Sequence, residues 1–209
     1  MATDAMPKDA TRFWVVRHGQ IAANISAHWH GSTDSPLTEE GHRQVARVAA
    51  RFRSAHTEVS AVYSSPLSRT HATASGIAEA LGLDVRPLPG LREYCLGDWE
   101  GTHYKVLSEE RNLLQQMSDR QWAPPGGESL QGVLDRMLDA FHGVAADHPG
   151  EQVLMVGHGA ATAVMLSHLL AQDALGWHGY HIGNCSVSEF WLHPEPRLGL
   201  FNCITHLDN

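Results

Sequence analysis

The chain has 209 residues, of which 43% are hydrophobic and 18% are charged, and its formal net charge is -8 at pH 7. This composition is typical of a globular protein with one large core, and the negative charge argues against a nucleic-acid-binding protein, which would carry a basic face. No stretch approaches the roughly 20 apolar residues of a membrane span. We therefore expect a single domain over residues 1–209, located in the cytoplasm, with neither a membrane nor a nucleic acid as partner.

The termini and the cysteines add little chemistry. Residues 1–11 are small and polar and lack the apolar stretch of a secretory signal, so we expect them to be flexible. Cys95, Cys185 and Cys203 form no CxxC pair, which predicts free and mostly buried thiols rather than a disulfide framework or a zinc ribbon. Fifteen histidines suggest metal binding, but no HExxH spacing accompanies them. We expect no metal and no cofactor.

The first half of the chain alternates strand-like and helix-like patterns. Residues 12–16 are apolar and β-branched and stop at Arg17-His18-Gly19, which predicts a buried strand that ends in a glycine turn. A helix is predicted from Thr38, with acidic residues in its first turn. Its buried face is predicted to consist of Val45, Val48, Ala49 and Phe52. Residues 61–63 form a second predicted strand.

The next helix is predicted to begin at Ser64-Ser65-Pro66, with a serine as N-cap and Pro66 in the first helical position. It should end at Gly82. Its apolar stripe consists of Leu67, Ala74, Ile77, Ala78 and Leu81. Residues 91–127, called the covering segment below, are rich in polar and aromatic residues and end in Pro-Pro-Gly-Gly. We expect this segment to lie over the sheet and the functional site rather than in the core.

The second half continues the alternation. A long helix is predicted over residues 129–146, a buried strand over 152–156 that ends at Gly157-His158-Gly159, a helix over 160–170, and late strands over 187–192 and 198–204. This pattern predicts an α/β fold, a three-layer α/β/α sandwich with a mainly parallel sheet. Ligands of such sheets bind beyond the carboxyl ends of the strands, where both His-Gly turns fall.

Five motifs, taken together and in chain order, indicate a chemistry. Arg17-His18-Gly19 alone would be a weak signal, because three residues match by chance in many proteins. It is joined by Asn24 and by Arg69, which lies in the first turn of a helix that follows a strand. Glu93 precedes a Gly-Asp-Trp-Glu-Gly stretch, and Gly157-His158-Gly159 follows another strand.

This set resembles the histidine phosphatase superfamily, also called the phosphoglycerate-mutase-like family, over roughly residues 13–190. The resemblance implies the phosphoglycerate-mutase-like fold and a phosphohistidine intermediate. It also implies roles for six residues: His18 as nucleophile, Arg17, Arg69 and His158 as ligands of the phosphoryl oxygens, Asn24 as their assistant, and Glu93 as acid and base. We expect the substrate to contact Asn24, His30, Gly31, Ser32 and Gly159.

The physical chemistry of phosphoryl transfer is consistent with these roles. The transferring group carries negative charge on its oxygens, so fixed donors such as Arg17 and Arg69 stabilise it, and the helix dipole helps at Arg69. A histidine attacks only when it is neutral, with one ring nitrogen fixed as donor, and nearby arginines disfavour its protonation. The departing alkoxide needs a proton, which Glu93 would supply before taking one from water.

Other interpretations stay open at several positions. Glu100 is a reserve candidate for the acid, His158 could be a buried structural residue, and Glu128 should open the long helix. Cys95 should only pack, because nothing indicates an activated thiolate there. Four aromatic residues either form a rim around the site or pack the covering segment: Trp29, Trp99, Tyr104 and Trp122.

The chain departs from the family pattern at two places. Ile21 stands where a threonine is usual, which should leave the chemistry intact because the phosphate donors remain. His28 and His30 flank Trp29 in a loop that more often carries arginine and glutamine. This second departure leaves the identity of the substrate open.

These observations predict a metal-independent phosphomonoester hydrolase of the histidine acid phosphatase type, acting through phosphohistidine on small phosphorylated metabolites. A cofactor-dependent phosphoglycerate mutase is the alternative, and a binding module without turnover is a remote one. Residues 94–127 and the tail to Asn209 are short for a mutase, which must cover its phosphohistidine against water. Hydrolysis is therefore favoured. The sequence leaves the physiological substrate and a homodimer open.

Overall fold

A computed structural model of the protein describes residues 9–55 and 58–208. In this part of the chain, six strands form one sheet: β1 (Arg12–Arg17), β2 (Val59–Ser64), β3 (Val85–Pro87), β4 (Gln152–Gly157), β5 (Val187–Trp191) and β6 (Arg197–Cys203). Their order across the sheet is β3-β2-β4-β1-β5-β6. The first four of these neighbours pair in parallel, whereas β5 and β6 are antiparallel additions at one edge. The predicted mainly parallel sheet is confirmed.

Helices cover both faces of the sheet, which gives the predicted three layers. The longer helices are α2 (Glu39–Ser54), α3 (Ser68–Leu81), α5 (Leu130–Asp147) and α6 (Gly159–Ala171). Helices α2 and α3 pack on one face of the sheet and form one core with it. The helices contribute Val48, Phe52 and Ile77 to this core. Helices α5 and α6 share the other, which includes Phe13 and Phe141 in edge contact at 5.0 Å. Two single-turn helices, α1 (Ala22–Ile25) and α4 (Leu113–Gln116), lie in the connections.

The predicted helix starts are confirmed at α2 and α5. The hydroxyl of Thr38 accepts a hydrogen bond from Gly41 N at 3.0 Å, and that of Ser129 accepts one from Gly132 N at 3.1 Å. Such N-caps satisfy backbone donors that the first helical turn leaves without partners. The predicted buried face of α2 is also confirmed, since Val45, Val48, Ala49 and Phe52 are all buried.

The predicted start of α3 is wrong by two residues. This helix begins at Ser68, after Leu67, and no side chain caps it. Ser64 and Ser65 are fully buried, and their hydroxyls have other partners, the carbonyl of Ser65 and the ring of His158. The hydroxyls of these two serines therefore bond to buried groups and do not cap the helix. The predicted end is confirmed, because Gly82 adopts the left-handed conformation with φ of 71°.

The parallel register of the central strands brings the two His-Gly turns together. Arg17 at the end of β1 pairs with Gly157 at the end of β4, and His18 N donates to Gly157 O at 3.0 Å. Each of these two strands has a neighbouring strand on both sides. His18 and His158 therefore follow the ends of adjacent strands at the same level of the sheet.

The covering segment differs from the prediction, because part of it belongs to the core. Leu96, Leu107, Leu113 and Met117 are almost completely buried in the cluster that α5 and α6 share. The chain there consists of short turns, a π-helical turn at Val106–Glu110 and α4. Such one-turn pieces carry no apolar periodicity, which is why their inward side chains were not predicted.

The N-terminal expectation concerns residues that are mostly not described. Residues 1–8 lie outside the described residues. Asp9 accepts a hydrogen bond from Gly150 N at 2.9 Å, and Thr11 Oγ1 donates to His148 O at 2.7 Å, so residues 9–11 are attached to the end of α5. The three cysteines are free thiols, but only Cys185 is buried, which corrects the expected burial of the others. Among the described residues, the helices are all too short or too polar to cross a membrane.

Candidate active site

The carboxyl ends of β1 and β4 open into a pocket of about 410 Å³. Six of the predicted site residues line it: Arg17, His18, Asn24, His30, Glu93 and Gly159. Arg69 and His158 lie fully buried behind this wall. The predicted location beyond the strand ends holds.

The geometry of His18 suits a nucleophile. Its ring is 3% exposed, and its Nδ1 lies 2.8 Å from the carbonyl oxygen of Gly19. Because a carbonyl only accepts, Nδ1 carries the proton and Nε2 keeps its lone pair. Burial lowers the pKa of His18 well below its usual range, and the nearby charges of Arg17 and Arg69 lower it further. The imidazole is thus neutral with one nitrogen available to attack.

Gly19 is required by a close approach of two backbones. A Cβ at this position would lie 2.8 Å from the carbonyl oxygen of Gly41, at the start of α2. The Gly19 N–H donates to Thr73 Oγ1 at 3.0 Å, which ties the turn to α3. The turn that carries His18 is therefore held by helices on one face of the sheet.

Three donors point to an anion site beside His18. Arg17 Nε, Arg69 Nε and His158 Nδ1 are buried and have no hydrogen-bond partner among the described residues. Buried polar nitrogens without acceptors are rare in proteins, because each loses its hydration without compensation. All three belong to the residues that are predicted to hold the phosphoryl oxygens. An oxyanion bound next to His18 would satisfy them.

Backbone carbonyls accept hydrogen bonds from the outer nitrogens of both arginines. Arg17 Nη1 donates to Ile182 O at 2.7 Å. Arg69 Nη1 donates to Thr33 O at 2.8 Å, and Nη2 donates to the carbonyls of residues 30 and 31 at 3.0 and 2.8 Å. These backbone acceptors orient each guanidinium. Bidentate binding of phosphate by Arg69 would require its bonds to break, whereas in Arg17 the bond to Ile182 O uses Nη1 alone.

His158 begins α6 and faces His18, with the ring centroids 5.2 Å apart. Burial lowers its pKa well below the usual range, and the charge of Arg69 adds to the effect. Its Nε2 lies 2.8 Å from Ser65 Oγ, which also accepts from Leu67 N at 3.5 Å. The serine proton is then free to point to Nε2, which leaves Nδ1 as the donor of a neutral ring. This tautomer fits a ligand of phosphoryl oxygens.

Glu93 lies at the N-terminus of α6. Its Oε1 accepts from Ala161 N at 2.7 Å and from Tyr94 N at 2.9 Å, and its Oε2 accepts from Ala160 N at 3.1 Å. The first turn of a helix offers free N–H groups and a favourable dipole to such a carboxylate. These bonds fix Glu93 at the pocket wall, next to the first residues of α6.

A half-buried ion pair holds the turn that carries Glu93. Arg136 of α5 pairs with Glu128 at 2.7 Å and donates to the carbonyls of Gly90, Arg92 and Glu93 at 2.8, 2.7 and 3.1 Å. Glu128 also accepts from Cys95 N at 3.1 Å. Glu128 thus precedes the Ser129 cap and braces this turn, instead of opening the helix as expected.

Glu100 is occupied elsewhere and is not the acid. Its carboxylate accepts from the backbone N–H groups of Gly31, Ser32, Thr33 and Leu96 and from the Thr33 hydroxyl, at 2.8 to 3.2 Å. This arrangement also corrects the prediction for Gly31 and Ser32. Both residues give their N–H groups to Glu100 and stay outside the pocket wall, so neither is placed to bind a substrate.

Asn24 and Gly159 support their neighbours at the wall. Asn24 Oδ1 accepts from Ile21 N at 3.0 Å and from Asn184 Nδ2 at 3.1 Å, which leaves its own amide N–H groups to face the pocket. Ile21, which replaces the usual threonine, is buried. A Cβ at Gly159 would lie 3.3 Å from the guanidinium of Arg17, so glycine lets that side chain pack against α6.

The outer part of the pocket is aromatic. Trp29 and Tyr104 line it, whereas Trp99 and Trp122 pack on each other at 5.5 Å within the covering segment. Trp29 and Tyr104 therefore belong to the aromatic rim, and Trp99 and Trp122 pack the covering segment. The sequence argument missed Trp177, His178 and His181, which line the pocket from the 3₁₀ segment Ala174–Tyr180 and just after it. The clustered aromatic and imidazole residues of that stretch, Gly-Trp-His-Gly-Tyr-His, were the available signal.

Comparisons with known proteins agree with this geometry. The sequence profile of the histidine phosphatase superfamily (branch 1) matches residues 13–202. The probable phosphoglycerate mutase GpmB of Cronobacter sakazakii is 36% identical over 190 residues, which are 88% of this chain and 86% of that protein.

Two solved structures with the same fold are phosphatases. The mycobacterial glucosyl-3-phosphoglycerate phosphatase in complex with VO3 superposes with a TM-score of 0.81 at 30% identity, covering 92% of this chain and 99% of that one. The phosphoserine phosphatase of Entamoeba histolytica in complex with 3-phosphoglyceric acid gives a TM-score of 0.83 at 26% identity, covering 94% and 99%.

Proposed function

This chain belongs to the histidine phosphatase superfamily, and on that premise we propose that it hydrolyses phosphate monoesters of small metabolites through a phosphohistidine at His18. One observation carries the proposal. His18 is neutral with only Nε2 free, and it lies beside buried donors of Arg17, Arg69 and His158 that have no acceptor among the described residues. A nucleophile and an oxyanion site thus meet at one point.

In the first step, the Nε2 lone pair of His18 attacks phosphorus while the bond from phosphorus to the ester oxygen breaks. The departing alkoxide takes a proton from Glu93, whose carboxyl group is fixed at the start of α6. The positive charge that builds on His18 is offset by the charge of the bound phosphoryl group. Arg17, Arg69 and His158 donate to its oxygens.

In the second step, Glu93 takes a proton from water, and the water oxygen attacks the phosphorus of the phosphohistidine. The P–N bond breaks, inorganic phosphate leaves, and His18 returns to its neutral form. The charge stabilisation in both steps comes from side chains of the protein, which supports a metal-independent mechanism. The mycobacterial phosphatase of the same fold is solved in complex with VO3, which carries three oxygens on one centre, as the transferring phosphoryl group does.

The proposal is tested by trapping the intermediate. After brief incubation with a ³²P-labelled monoester and a quench in alkali, we expect the label on His18, because phosphohistidine is stable in base and labile in acid. His18→Ala should lose both label and turnover, whereas the matched variant His71→Ala, on the exposed side of α3, should retain both. Label on a serine, or turnover in His18→Ala, would contradict the mechanism.

A phosphoglycerate mutase is the second candidate, because relatives such as GpmB of Cronobacter sakazakii carry that name. A mutase would return the phosphoryl group from His18 to a bound sugar acid. The test supplies 3-phosphoglycerate with catalytic 2,3-bisphosphoglycerate and compares the 2-phosphoglycerate formed with phosphate released from a panel of monoesters. We expect phosphate release to be faster. Faster isomerisation would favour the mutase and leave the roles of the site residues unchanged.

A further inference from the structure

The outer pocket has few charges to offer a substrate. Among the described residues that line the pocket, the only Lys, Arg, Asp or Glu side chains are Arg17 and Glu93. Both are committed to the reacting centre, Arg17 by its position beside His18 and Glu93 by its bonds to the start of α6. The part of a substrate beyond its phosphoryl group therefore meets no carboxylate and no guanidinium or ammonium group.

Much of the wall around that part is apolar or aromatic. Its apolar and aromatic members are Ile21, Ala23, Ala27, Trp29, Tyr104 and Trp177, and the polar ones are Asn24 and four histidines at the rim. The two tryptophans are held rigidly: Trp29 Nε1 donates to Tyr94 O at 3.0 Å, and the Trp29 and Trp177 rings meet edge to face at 6.5 Å. Tyr104, whose N–H donates to Ala27 O at 2.8 Å, is 40% exposed and forms the outer side. Two fixed rings and one exposed ring thus surround the space above His18.

Among the described residues, four histidines, and no lysine or arginine, lie at the rim of the pocket: His28, His30, His178 and His181. Desolvation and the charge of Arg69 lower the pKa of His30, and desolvation and Arg17 lower that of His181. His30 Nδ1 also bonds to Ser35 Oγ at 2.8 Å, and the His28 ring packs edge to face on His103 at 5.2 Å. A carboxylate in this space would lose water and meet imidazole rings instead of a lysine or a further arginine.

We propose that the preferred substrates are monoesters whose alcohol carries a flat, uncharged, apolar or aromatic group, and that anionic sugar acids are poor ones. The inference rests on the proposed hydrolysis and specifies its substrate class. The pocket volume of about 410 Å³ admits a phosphoryl group together with a ring. An aromatic group in this space would contact the faces and edges of Trp29, Tyr104 and Trp177, as aromatic pairs do in protein interiors.

The test uses alkyl phosphates with similar leaving groups, so that only the organic part differs. We expect kcat/KM for 2-phenylethyl phosphate to exceed that for propyl phosphate and for 3-phosphoglycerate by roughly tenfold. Tyr104→Ala should lower kcat/KM for 2-phenylethyl phosphate by about threefold to tenfold and lower that for propyl phosphate less. The matched control is Tyr180→Ala, at a half-buried ring outside the pocket wall, which should change neither.

A higher kcat/KM for 3-phosphoglycerate, or equal losses with both alkyl phosphates in Tyr104→Ala, would overturn the inference. Binding of 3-phenylpropylphosphonate and butylphosphonate, which cannot be hydrolysed because the ester oxygen is replaced by carbon, separates it from the proposed function. If no monoester turns over but the phenyl compound binds about tenfold tighter, the pocket preference holds and the hydrolysis proposal fails. Equal binding of the two phosphonates overturns the preference, whatever the turnover.

Discussion

Replacing Glu100 by glutamine should weaken both the fold and the active site, although Glu100 touches no part of the pocket. The carboxylate accepts the N–H groups of Gly31, Ser32 and Thr33, while the carbonyls of His30, Gly31 and Thr33 accept from Arg69. The loop at residues 30–33 is thus held between one anion and one cation. Glu100 fixes the loop, and the loop orients the guanidinium of Arg69 beside His18.

The size of the effect follows from the bonds that glutamine cannot make. Glu100 Oε2 accepts three hydrogen bonds and Oε1 accepts two, from four backbone N–H groups and one hydroxyl. An amide keeps one oxygen and turns an NH2 group toward the remaining donors, so at least two bonds are lost. Hydrogen bonds to a charged group contribute about 1.5–3 kcal/mol each, and the lower value applies to this half-buried carboxylate. We expect the free energy of unfolding to fall by about 3 kcal/mol.

Catalysis should fall as well, because Arg69 loses its fixed orientation. Deletion of one donor to a transition-state oxyanion costs about 10² to 10³ in rate, and displacement of Arg69 should cost less, about tenfold to a hundredfold in kcat/KM. Urea unfolding gives the stability, and hydrolysis of p-nitrophenyl phosphate gives kcat/KM. If Glu100 acts through Arg69, the double variant with Arg69→Ala should be no slower than Arg69→Ala alone.

The matched control is Glu109→Gln. Glu109 is exposed and has only a 3.9 Å ion pair with Lys105, so its loss should change neither quantity. An unfolding free energy within about 1 kcal/mol of the parent for Glu100→Gln would refute the bond count, since two lost charge-assisted bonds exceed that value. Additive losses of kcat/KM in the double variant would refute the link to Arg69.

Three further outcomes are expected. Glu93→Gln should reduce kcat/KM for alkyl phosphates by about 10² to 10⁴ but that for p-nitrophenyl phosphate far less, because nitrophenolate leaves without a proton; equal losses would remove Glu93 as acid. Hydrogen bonds lower the pKa of Cys203 to about 7 and burial raises that of Cys185 to about 12, so a disulfide reagent at pH 7 should label Cys203 and spare Cys185, and the reverse order, read by peptide mass spectrometry, would contradict this. The pKa values of His18 and His158 are lowered in the folded state, so the unfolded state binds more protons below about pH 6.5. The free energy of unfolding, measured in urea, should therefore fall as the pH drops from 7 to 5, by up to about 1.4 kcal/mol per pH unit for each histidine. His18→Gln should make this pH dependence less steep.

The sequence predicted the parts of the fold that carry strong local patterns. The predicted strands β1 and β4 are confirmed: each contains a continuous apolar run, residues 13–16 and 153–156, and a glycine follows within three residues. The edge strand β3 was not predicted. It spans only Val85–Pro87 and contains an exposed arginine and a proline, so no apolar run marks it. Its pairing with β2 is decided by the sheet and not by its own residues.

The sequence also predicted which residues meet at the site, but not how their donors are used. Arg17, His18 and Glu93 meet because two strand ends and a helix start coincide in any parallel sheet of this order. The partners of Arg69 could not be predicted, since the loop that binds it is held by Glu100 from the covering segment. Trp177 was missed for a similar reason: it lies in a 3₁₀ segment without periodicity, and only tertiary packing turns it to the pocket.

The position of the C-terminal residues bears on whether water reaches the phosphohistidine. A mutase must exclude water until the phosphoryl group returns to its acceptor. Here the 3₁₀ turn Thr205–Leu207 packs against α2, where Arg47 Nη1 donates to Leu207 O at 2.8 Å, and it contributes nothing to the pocket wall. The covering segment reaches that wall only through Glu93 and Tyr104, and Tyr104 is itself 40% exposed. Among the described residues, these two segments therefore form no closed cover over the pocket, and on the proposed mechanism the phosphohistidine should partition toward hydrolysis.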